Sequence, residues 1–227
     1  MNCLAHAIRF LDQKWMAIGS GLPDWLGMCD RRVRLREKHV GPFMEEDSPI
    51  GGLCRGVNQH WVDDDWFHVT PTFHALSAKI GKMFKEKFDA GDNFRSGFLG
   101  HVAMELLLDA ILTEHKPTVM DEYYGLVASV DAKELQDMVN SLGAKQTEAL
   151  VPFLKRYREE EFLRDYMTDK GLLYRLNRVL ARVRLDPLPD TADGVIAASR
   201  KLVRDATPEL VSPEILQAVG ASPGSGR

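Results

Sequence analysis

The chain has 227 residues, 44% of them hydrophobic and 27% charged, and a formal net charge of −4. These values are typical of a globular protein long enough to bury about 70% of its unfolded surface without disulfides or metals. Since the balance is slightly acidic, we expect no nucleic-acid partner attracted by a global positive field. No apolar stretch approaches the roughly 20 residues that span a bilayer, which predicts a chain without a membrane span.

The compartment is predicted from the first ten residues and from the cysteines. The start carries neither a basic region nor a small-residue cleavage site, so it does not resemble a signal peptide, and the expected compartment is the cytoplasm. The three cysteines, Cys3, Cys29 and Cys54, form no CxxC pair, and their odd number argues against a disulfide framework. We expect buried, reduced thiols.

Helical spacing dominates the sequence, which predicts an all-α fold of roughly six to eight helices. We expect one compact domain over residues 1–220 and a disordered tail over residues 221–227. The first helix is predicted over residues 1–16. A loop with two glycines and a proline should follow at residues 19–23 and carry Asp24. Residues 41–56 then read as a long connection.

The remaining helices are predicted from apolar stripes, caps and prolines. A second helix should begin near Gly56 and end at Thr70 and Pro71, because proline disfavours continuation. Asp92 and Asn93 are expected to cap the helix predicted over residues 94–115. The predicted ranges after the second helix are 72–88, 94–115, 121–141, 145–157 and 160–183.

Two of these helices carry a histidine and a carboxylate four residues apart. His60 precedes Asp64, and His101 precedes Glu105. Residues four apart lie one turn apart on the same face of a helix, so each pair can bind one ion. Imidazole and carboxylate are the usual ligands of zinc, manganese and iron, and these four side chains are the predicted metal ligands.

The helix over residues 94–115 is apolar on nearly every side and is therefore expected to be buried. His101, Glu105 and Asp109 would then point to the interior, where an unpaired charge costs several kcal/mol. A metal ion would supply a partner. Arginines such as Arg9 or Arg175, or a solvated strip on the helix, are the alternatives.

Three side chains are candidates for catalysis: Asp24, Asp109 and His6. Asp109 extends the face of Glu105 by one turn, and Asp24 follows the predicted loop at a place where catalytic groups often lie. His6 lies in an otherwise apolar first helix. A core histidine and an ordinary helix start remain the alternatives for His6 and Asp24.

Basic residues recur in two places. The segment from Arg31 to Lys38 holds five positive charges in eight residues, which suggests that Arg31, Arg32 and Arg34 bind an anionic substrate or an acidic partner. Arg175, Arg178 and Arg182 recur at helical spacing and form a second basic stripe. Arg182 is a further substrate-binding candidate. Solvated helix faces are the alternative for both.

The order and spacing of these motifs resemble the acyl carrier protein phosphodiesterases, also called acyl carrier protein hydrolases. The motifs are Met1-Asn-Cys-Leu-Ala-His6, Gly19-Ser-Gly-Leu-Pro-Asp24-Trp25, Gly56-Val-Asn-Gln-His60-Trp-Val-Asp-Asp64 and Glu105-Leu-Leu-Leu-Asp109. The resemblance implies an HD-like helical enzyme that uses a divalent metal, preferably Mn²⁺, to release phosphopantetheine from its carrier. It covers about four fifths of the chain.

Several positions depart from the pattern of this family. Glu105 stands where an aspartate is usual, Ala110 where a histidine is usual, His68 where an aspartate is usual, and Trp61 where an arginine is usual. His101 is additional and could replace the missing ligand one turn away. The resemblance therefore predicts a metal site and leaves the acyl carrier protein as an expected substrate, with a small phosphodiester as the alternative.

Two other functions compete with this one. The helical pairs of histidine and carboxylate also resemble the zinc-dependent phospholipase C and S1-type nuclease group, which would favour Zn²⁺; Fe²⁺ is a third option. A helical binding protein that kept the fold without catalysis is favoured by Ala110 and His68. The sequence leaves the oligomeric state open.

Overall fold

The computed structural model describes residues 1–88, 95–143 and 145–221. The structure is 78% helical, and no strand occurs within those ranges, which confirms the all-α class. The α-helices are α1 Cys3–Ala7, α2 Lys14–Cys29, α3 Glu37–Val40, α4 Pro49–Phe67, α5 Pro71–Lys87, α6 Ser96–His115, α7 Val119–Ala128, α8 Ala132–Leu142, α9 Leu150–Glu160, α10 Asp169–Arg182, α11 Asp193–Leu210 and α12 Pro213–Ala218. Short 3-10 segments lie at Ile8–Phe10, Gly41–Phe43, Phe162–Met167 and Asp190–Ala192.

The helices form two compact units. Unit 1 comprises Met1–Asp65 and Thr118–Glu161, and unit 2 comprises Trp66–Pro117 and the chain from Phe162 onward. The extent of the predicted single domain, its HD-like character and its cytoplasmic location stay predictions. The predicted cap at residues 92–93 and the predicted tail, apart from Ala221, lie outside the described residues.

Unit 1 is built around α2. This helix packs against α1 and α9, and α9 packs in turn against α7 and α8. The core includes Trp25 on α2 and Tyr157 on α9, whose ring centroids lie 5.3 Å apart. The hydroxyl groups of Tyr157 and Tyr123 are hydrogen-bonded at 2.7 Å, so two buried phenols satisfy each other.

The predicted loop at residues 19–23 is wrong, because these residues lie inside α2 and place Asp24 on that helix. A Cβ atom at Gly19 would lie 2.2 Å from the carbonyl oxygen of Leu53, and one at Gly56 would lie 2.2 Å from that of Met16. The glycines therefore serve the close approach of α2 and α4. Pro23 lies inside α2 and has no N–H to donate to the preceding turn. The predicted first helix is divided into α1, a 3-10 turn and the start of α2.

The predicted connection over residues 41–56 is also wrong in its second half, because α4 begins at Pro49. Proline fits the first turn of a helix, because the N–H groups of that turn have no partner within the helix and the lack of one costs nothing. Ser48 Oγ accepts a hydrogen bond from the backbone N–H of Gly51 at 3.2 Å, which is the pattern of an N-cap. These start signals outweigh the glycines that follow them.

Two long predicted helices are each divided by a cap. Residues 121–141 fall into α7 and α8, because the Asp131 side chain accepts hydrogen bonds from the first turn of α8. Residues 160–183 fall into a 3-10 segment and α10, which the Thr168 side chain caps. The predicted range 145–157 overlaps α9, which begins later, at Leu150, and ends at Glu160. No predicted range covers α11 and α12, so the structure has more helices than the six to eight expected.

Unit 2 is organised around α6. This helix packs along α5, and α11 packs against both. By length and apolar composition α6 could cross a membrane, but 67% of its most apolar window is buried inside the protein. Such burial is typical of the core helix of a soluble protein. No other described helix meets the same criteria of length and hydropathy.

The cysteines are free thiols, as predicted, with Cys3 and Cys54 buried and Cys29 half-buried. Burial and the nearby charge of Asp30 raise the pKa of Cys29 to about 11, and burial and Glu46 raise the pKa of Cys54 to about 11. Because the thiolate is the reactive form, we expect both residues to resist iodoacetamide at pH 7.5 and to react fully in guanidinium. Peptide mass spectrometry measures this, and rapid native labelling of Cys54 would contradict it.

Candidate metal centres

The first candidate centre, called cluster 1, comprises His6 of α1 with His60 and Asp64 of α4, all within unit 1. One ligand atom from each lies within 4.8 Å of the others. His6 Nε2 lies 3.3 Å from Asp64 Oδ1, and His60 Nε2 lies 3.4 Å from Asp64 Oδ2. Ligands of a tetrahedral zinc ion lie about 3.3 Å apart, given bonds of about 2.0–2.1 Å. The spacing of cluster 1 therefore fits a small divalent cation.

His60 has the surroundings of a metal-binding histidine. Its Nδ1 lies 2.9 Å from the carbonyl oxygen of Ser20 on α2, to which the Nδ1–H tautomer donates a hydrogen bond. That bond leaves the Nε2 lone pair directed at Asp64, as in many metal sites. Burial lowers the pKa of His60 to about 3, and the neighbouring charge of His6 adds to this effect. A neutral imidazole is the form that binds metals.

His6 is fully buried and lies between two carboxylates. Its Nδ1 is 3.5 Å from Asp63 Oδ2, while its Nε2 faces Asp64 and also lies 3.2 Å from the carbonyl oxygen of Met1. Burial favours the neutral form, but Asp63 and Asp64 outweigh it and raise the pKa of His6 to about 9. A cation bound here would therefore displace a proton from His6.

The three consecutive aspartates of α4 have different partners. Asp63 is buried and forms an ion pair with Arg9, and Gln59 donates a hydrogen bond to it at 2.8 Å. The Asp64 side chain is 30% exposed, lies against both histidines and accepts a hydrogen bond from the Met1 α-amino group at 2.7 Å. Although burial opposes ionisation, His6 and the α-amino group hold the pKa of Asp64 below its ordinary value. Asp64 is therefore the aspartate of this run that faces the two histidines and solvent.

The second candidate centre, called cluster 2, comprises His68, His101 and Glu105, all within unit 2. His68 Nε2 and His101 Nε2 lie 3.1 Å and 3.0 Å from the same oxygen, Glu105 Oε1. Burial favours the neutral acid, but these two hydrogen bonds help to hold the pKa of Glu105 well below its ordinary value. The side chain of His101 is 40% exposed, so the prediction that it points to the interior is wrong.

The four predicted metal ligands thus fall into two groups. His60 and Asp64 meet His6, which was predicted as a catalytic group, and His101 and Glu105 meet His68, which was noted only as a departure from the family pattern. Neither third member lies four residues from its partners. His68 directly follows α4, and this position next to the helix of His60 and Asp64 could have suggested it as a ligand. The sequence does not indicate, however, in which direction the turn after α4 places the His68 side chain.

Two predicted catalytic carboxylates lie on helices. Asp24 Oδ2 accepts a hydrogen bond from Cys3 Sγ at 3.7 Å, and its charge contributes to the raised pKa of His6. Asp24 therefore lies in the neighbourhood of cluster 1. Asp109 is fully buried in α6, one turn after Glu105, as expected from the apolar character of that helix. Of the arginines considered as partners, Arg9 pairs with Asp63 and Arg175 pairs with Asp165.

The predicted substrate-binding arginines differ in their surroundings. Arg32 forms a bidentate ion pair with Asp30, in which both nitrogen–oxygen distances are 2.9 Å. Arg31 and Arg34 are exposed, and the structure records no acidic partner for either within residues 1–88, 95–143 and 145–221. Arg182, at the exposed end of α10, belongs to unit 2. Arg31 and Arg34 are therefore the two cations of this set best placed for an added anion.

These two arginines line a cleft of about 480 Å³ in unit 1. Its other lining residues are Pro23, Leu26, Gly27, Val33, Leu35 and Trp61. Trp61 directly follows His60 in the chain, and Pro23 directly precedes Asp24. The cleft thus combines two cations with an aromatic and aliphatic wall, and its lining includes the chain neighbours of His60 and Asp24.

The chain matches no family model, and neither a curated protein nor a solved structure matches it significantly.

Proposed function

We propose that this chain is a metal-dependent phosphodiester hydrolase in which His6, His60 and Asp64 bind a divalent cation. The observation that carries the proposal is the convergence of two imidazoles and one carboxylate within 4.8 Å, on helices held by a buried core. The backbone bond to His60 and the Asp63 carboxylate beside His6 are the outer contacts that orient metal-binding histidines. Mn²⁺ is the metal that the family resemblance implies, and the same donors suit Zn²⁺ or Fe²⁺.

A bound divalent cation would lower the pKa of a water ligand from 15.7 to about 7 and so supply hydroxide near neutral pH. The residues of this chain provide the rest of the site. Asp64 is the partly exposed member of cluster 1, so substrate and water reach the site on its side. Asp24 is the proposed group that accepts or passes a proton, since its charge acts on His6.

The composition of the cleft, whose lining includes the residue next to His60 in the chain, supports an anionic substrate with an apolar part. Arg31 and Arg34 would bind phosphate oxygens, to which guanidinium groups are well matched. Trp61 and Leu26 would contact the organic group. Holo acyl carrier protein is the proposed substrate, because its acidic surface would also complement the basic segment from Arg31 to Lys38; a small phosphodiester is the alternative.

The proposal is tested by removing and restoring the metal. Protein stripped by a chelator is reloaded with Mn²⁺, Zn²⁺ or Fe²⁺ and assayed on holo acyl carrier protein and on bis(p-nitrophenyl) phosphate. We expect hydrolysis only after reloading, and release of phosphopantetheine from the carrier. Cleavage of the small diester alone would favour the phospholipase-like alternative. Absence of hydrolysis with every metal would contradict the proposal and favour a binding protein.

The role of the cleft is tested by the double variant Arg31→Ala/Arg34→Ala. We expect its KM for the small diester to rise by roughly 100-fold or more, because each of the two lost charged hydrogen bonds costs about 1.5–3 kcal/mol and about 1.4 kcal/mol is a factor of ten. Arg36→Ala is the matched control, because Arg36 belongs to the same basic segment but does not line the cleft. Equal effects of Arg36→Ala and the double variant on the small diester would contradict this role.

A further inference from the structure

We propose that cluster 2, formed by His68, His101 and Glu105, is a metal site in its own right and binds a zinc ion. The assignment goes beyond the proposed hydrolase centre, because no member of cluster 1 takes part in it. All three side chains belong to unit 2, and each offers one ligand atom within 4.8 Å of the others.

The two imidazoles converge on one atom. His68 Nε2 and His101 Nε2 lie 3.1 Å and 3.0 Å from Glu105 Oε1. The ligands of a tetrahedral zinc ion lie about 3.3 Å apart, so shifts of only a few tenths of an ångström would admit the ion. Since His101 and Glu105 lie one turn apart on α6, the helix itself sets half of this geometry.

Aromatic contacts hold the two histidines in place. The Phe73 ring, on α5, meets the His101 ring edge to face at 5.0 Å and the His68 ring at 4.9 Å. Phe67, at the end of α4, packs against both Phe73 and His68. Phe73 is buried, so the imidazoles are oriented by a fixed wall before any ligand arrives, which lowers the entropic cost of binding.

The choice of zinc follows from the donor set and the exposure. Two histidines and one glutamate are a set that zinc enzymes use, with a fourth position left for water. The side chains of His101 and His68 are 40% and 32% exposed, so an ion and its water reach the site directly. Harder cations such as Mg²⁺ and Ca²⁺ prefer sites made of oxygen atoms only.

The test measures how many zinc ions the full chain binds. Metal-free protein is titrated with zinc chloride, and bound zinc is determined after gel filtration. We expect two ions for the wild type and one each for His68→Ala, His101→Ala and His60→Ala. His68→Ala with His60→Ala should bind none. The exposed His74, beside Phe73, provides the matched control, since His74→Ala should keep both ions.

Binding strength and spectroscopy extend the test. We expect His101→Ala to weaken zinc binding at cluster 2 by roughly 100-fold or more, because even lost outer contacts weaken a metal site 10–100-fold. In the His60→Ala background, Co²⁺ should give a visible absorption band that His68→Ala abolishes. Circular dichroism confirms that each variant is folded.

The outcomes separate this proposal from the hydrolase. Zinc binding that is unchanged by His68→Ala and by His101→Ala would overturn the second site. The residues of cluster 2 would then be joined only by hydrogen bonds. One ion, lost in His60→Ala and kept in His68→Ala, would overturn it while leaving cluster 1 intact. One ion with the opposite pattern would support cluster 2 and contradict the proposed hydrolase centre.

Discussion

His60→Ala is expected to lose both the metal of cluster 1 and the hydrolase activity. The substitution removes one of three ligands and the bond that the imidazole forms with the Ser20 carbonyl oxygen. Loss of an outer contact alone weakens metal binding about 10–100-fold, so loss of a ligand should exceed about 100-fold. Metal content after gel filtration and kcat/KM at the Mn²⁺ concentration that just saturates the wild type measure the two effects.

A graded series separates loss of the ligand from loss of the fold. Asp64→Asn keeps the size of the side chain and removes its charge, and it should lower metal content as strongly as His60→Ala. Asp63→Asn keeps all three ligands and removes the charge beside His6, which also weakens the ion pair with Arg9, so an intermediate loss of about 10–100-fold is expected. His74→Ala should bind metal like the wild type. Full metal content and activity in both His60→Ala and Asp64→Asn would contradict the assignment of cluster 1.

Helical periodicity predicted the part of the site that lies on one helix at a time. The pairs His60 with Asp64 and His101 with Glu105 follow from the geometry of one turn, and each pair indeed shares a face. The third member of each cluster comes from another element. Its approach depends on how helices pack and turns direct side chains, and a single sequence does not encode these features locally.

The fold shows the same division between local and tertiary effects. The α5 and α6 ranges were predicted within about two residues over the described chain, because an apolar stripe and a proline mark their limits. The α2 range was predicted wrongly, because Gly19 and Pro23 are helix breakers by local propensity. Tertiary packing overrides this propensity, since only glycine allows the backbone of α2 to approach that of α4.

Gly56→Ala is expected to be among the most destabilising single methyl additions in unit 1. The new Cβ would lie 2.2 Å from the Met16 carbonyl oxygen and 2.8 Å from the Gly19 Cα. Both contacts are with backbone, so no side-chain rotation relieves them, and α2 and α4 must separate. Overpacking costs about 1–3 kcal/mol or more, and helix propensity returns only about 1 kcal/mol.

The expected net loss of about 2 kcal/mol corresponds to a decrease in Tm of roughly 4–8 °C. Urea unfolding measures it, and Gly19→Ala should behave similarly because its Cβ would meet the Leu53 carbonyl oxygen. Gly125→Ala on α7 is the control, since nothing lies within 4 Å of its Cβ, and it should raise stability by up to about 1 kcal/mol.

Because the carbonyl oxygen of Ser20 on α2 is hydrogen-bonded to His60 on α4, separation of these helices should also weaken metal binding at cluster 1. Wild-type stability in Gly56→Ala would show that α2 and α4 do not pack at this distance, and would remove the support that this packing gives to cluster 1.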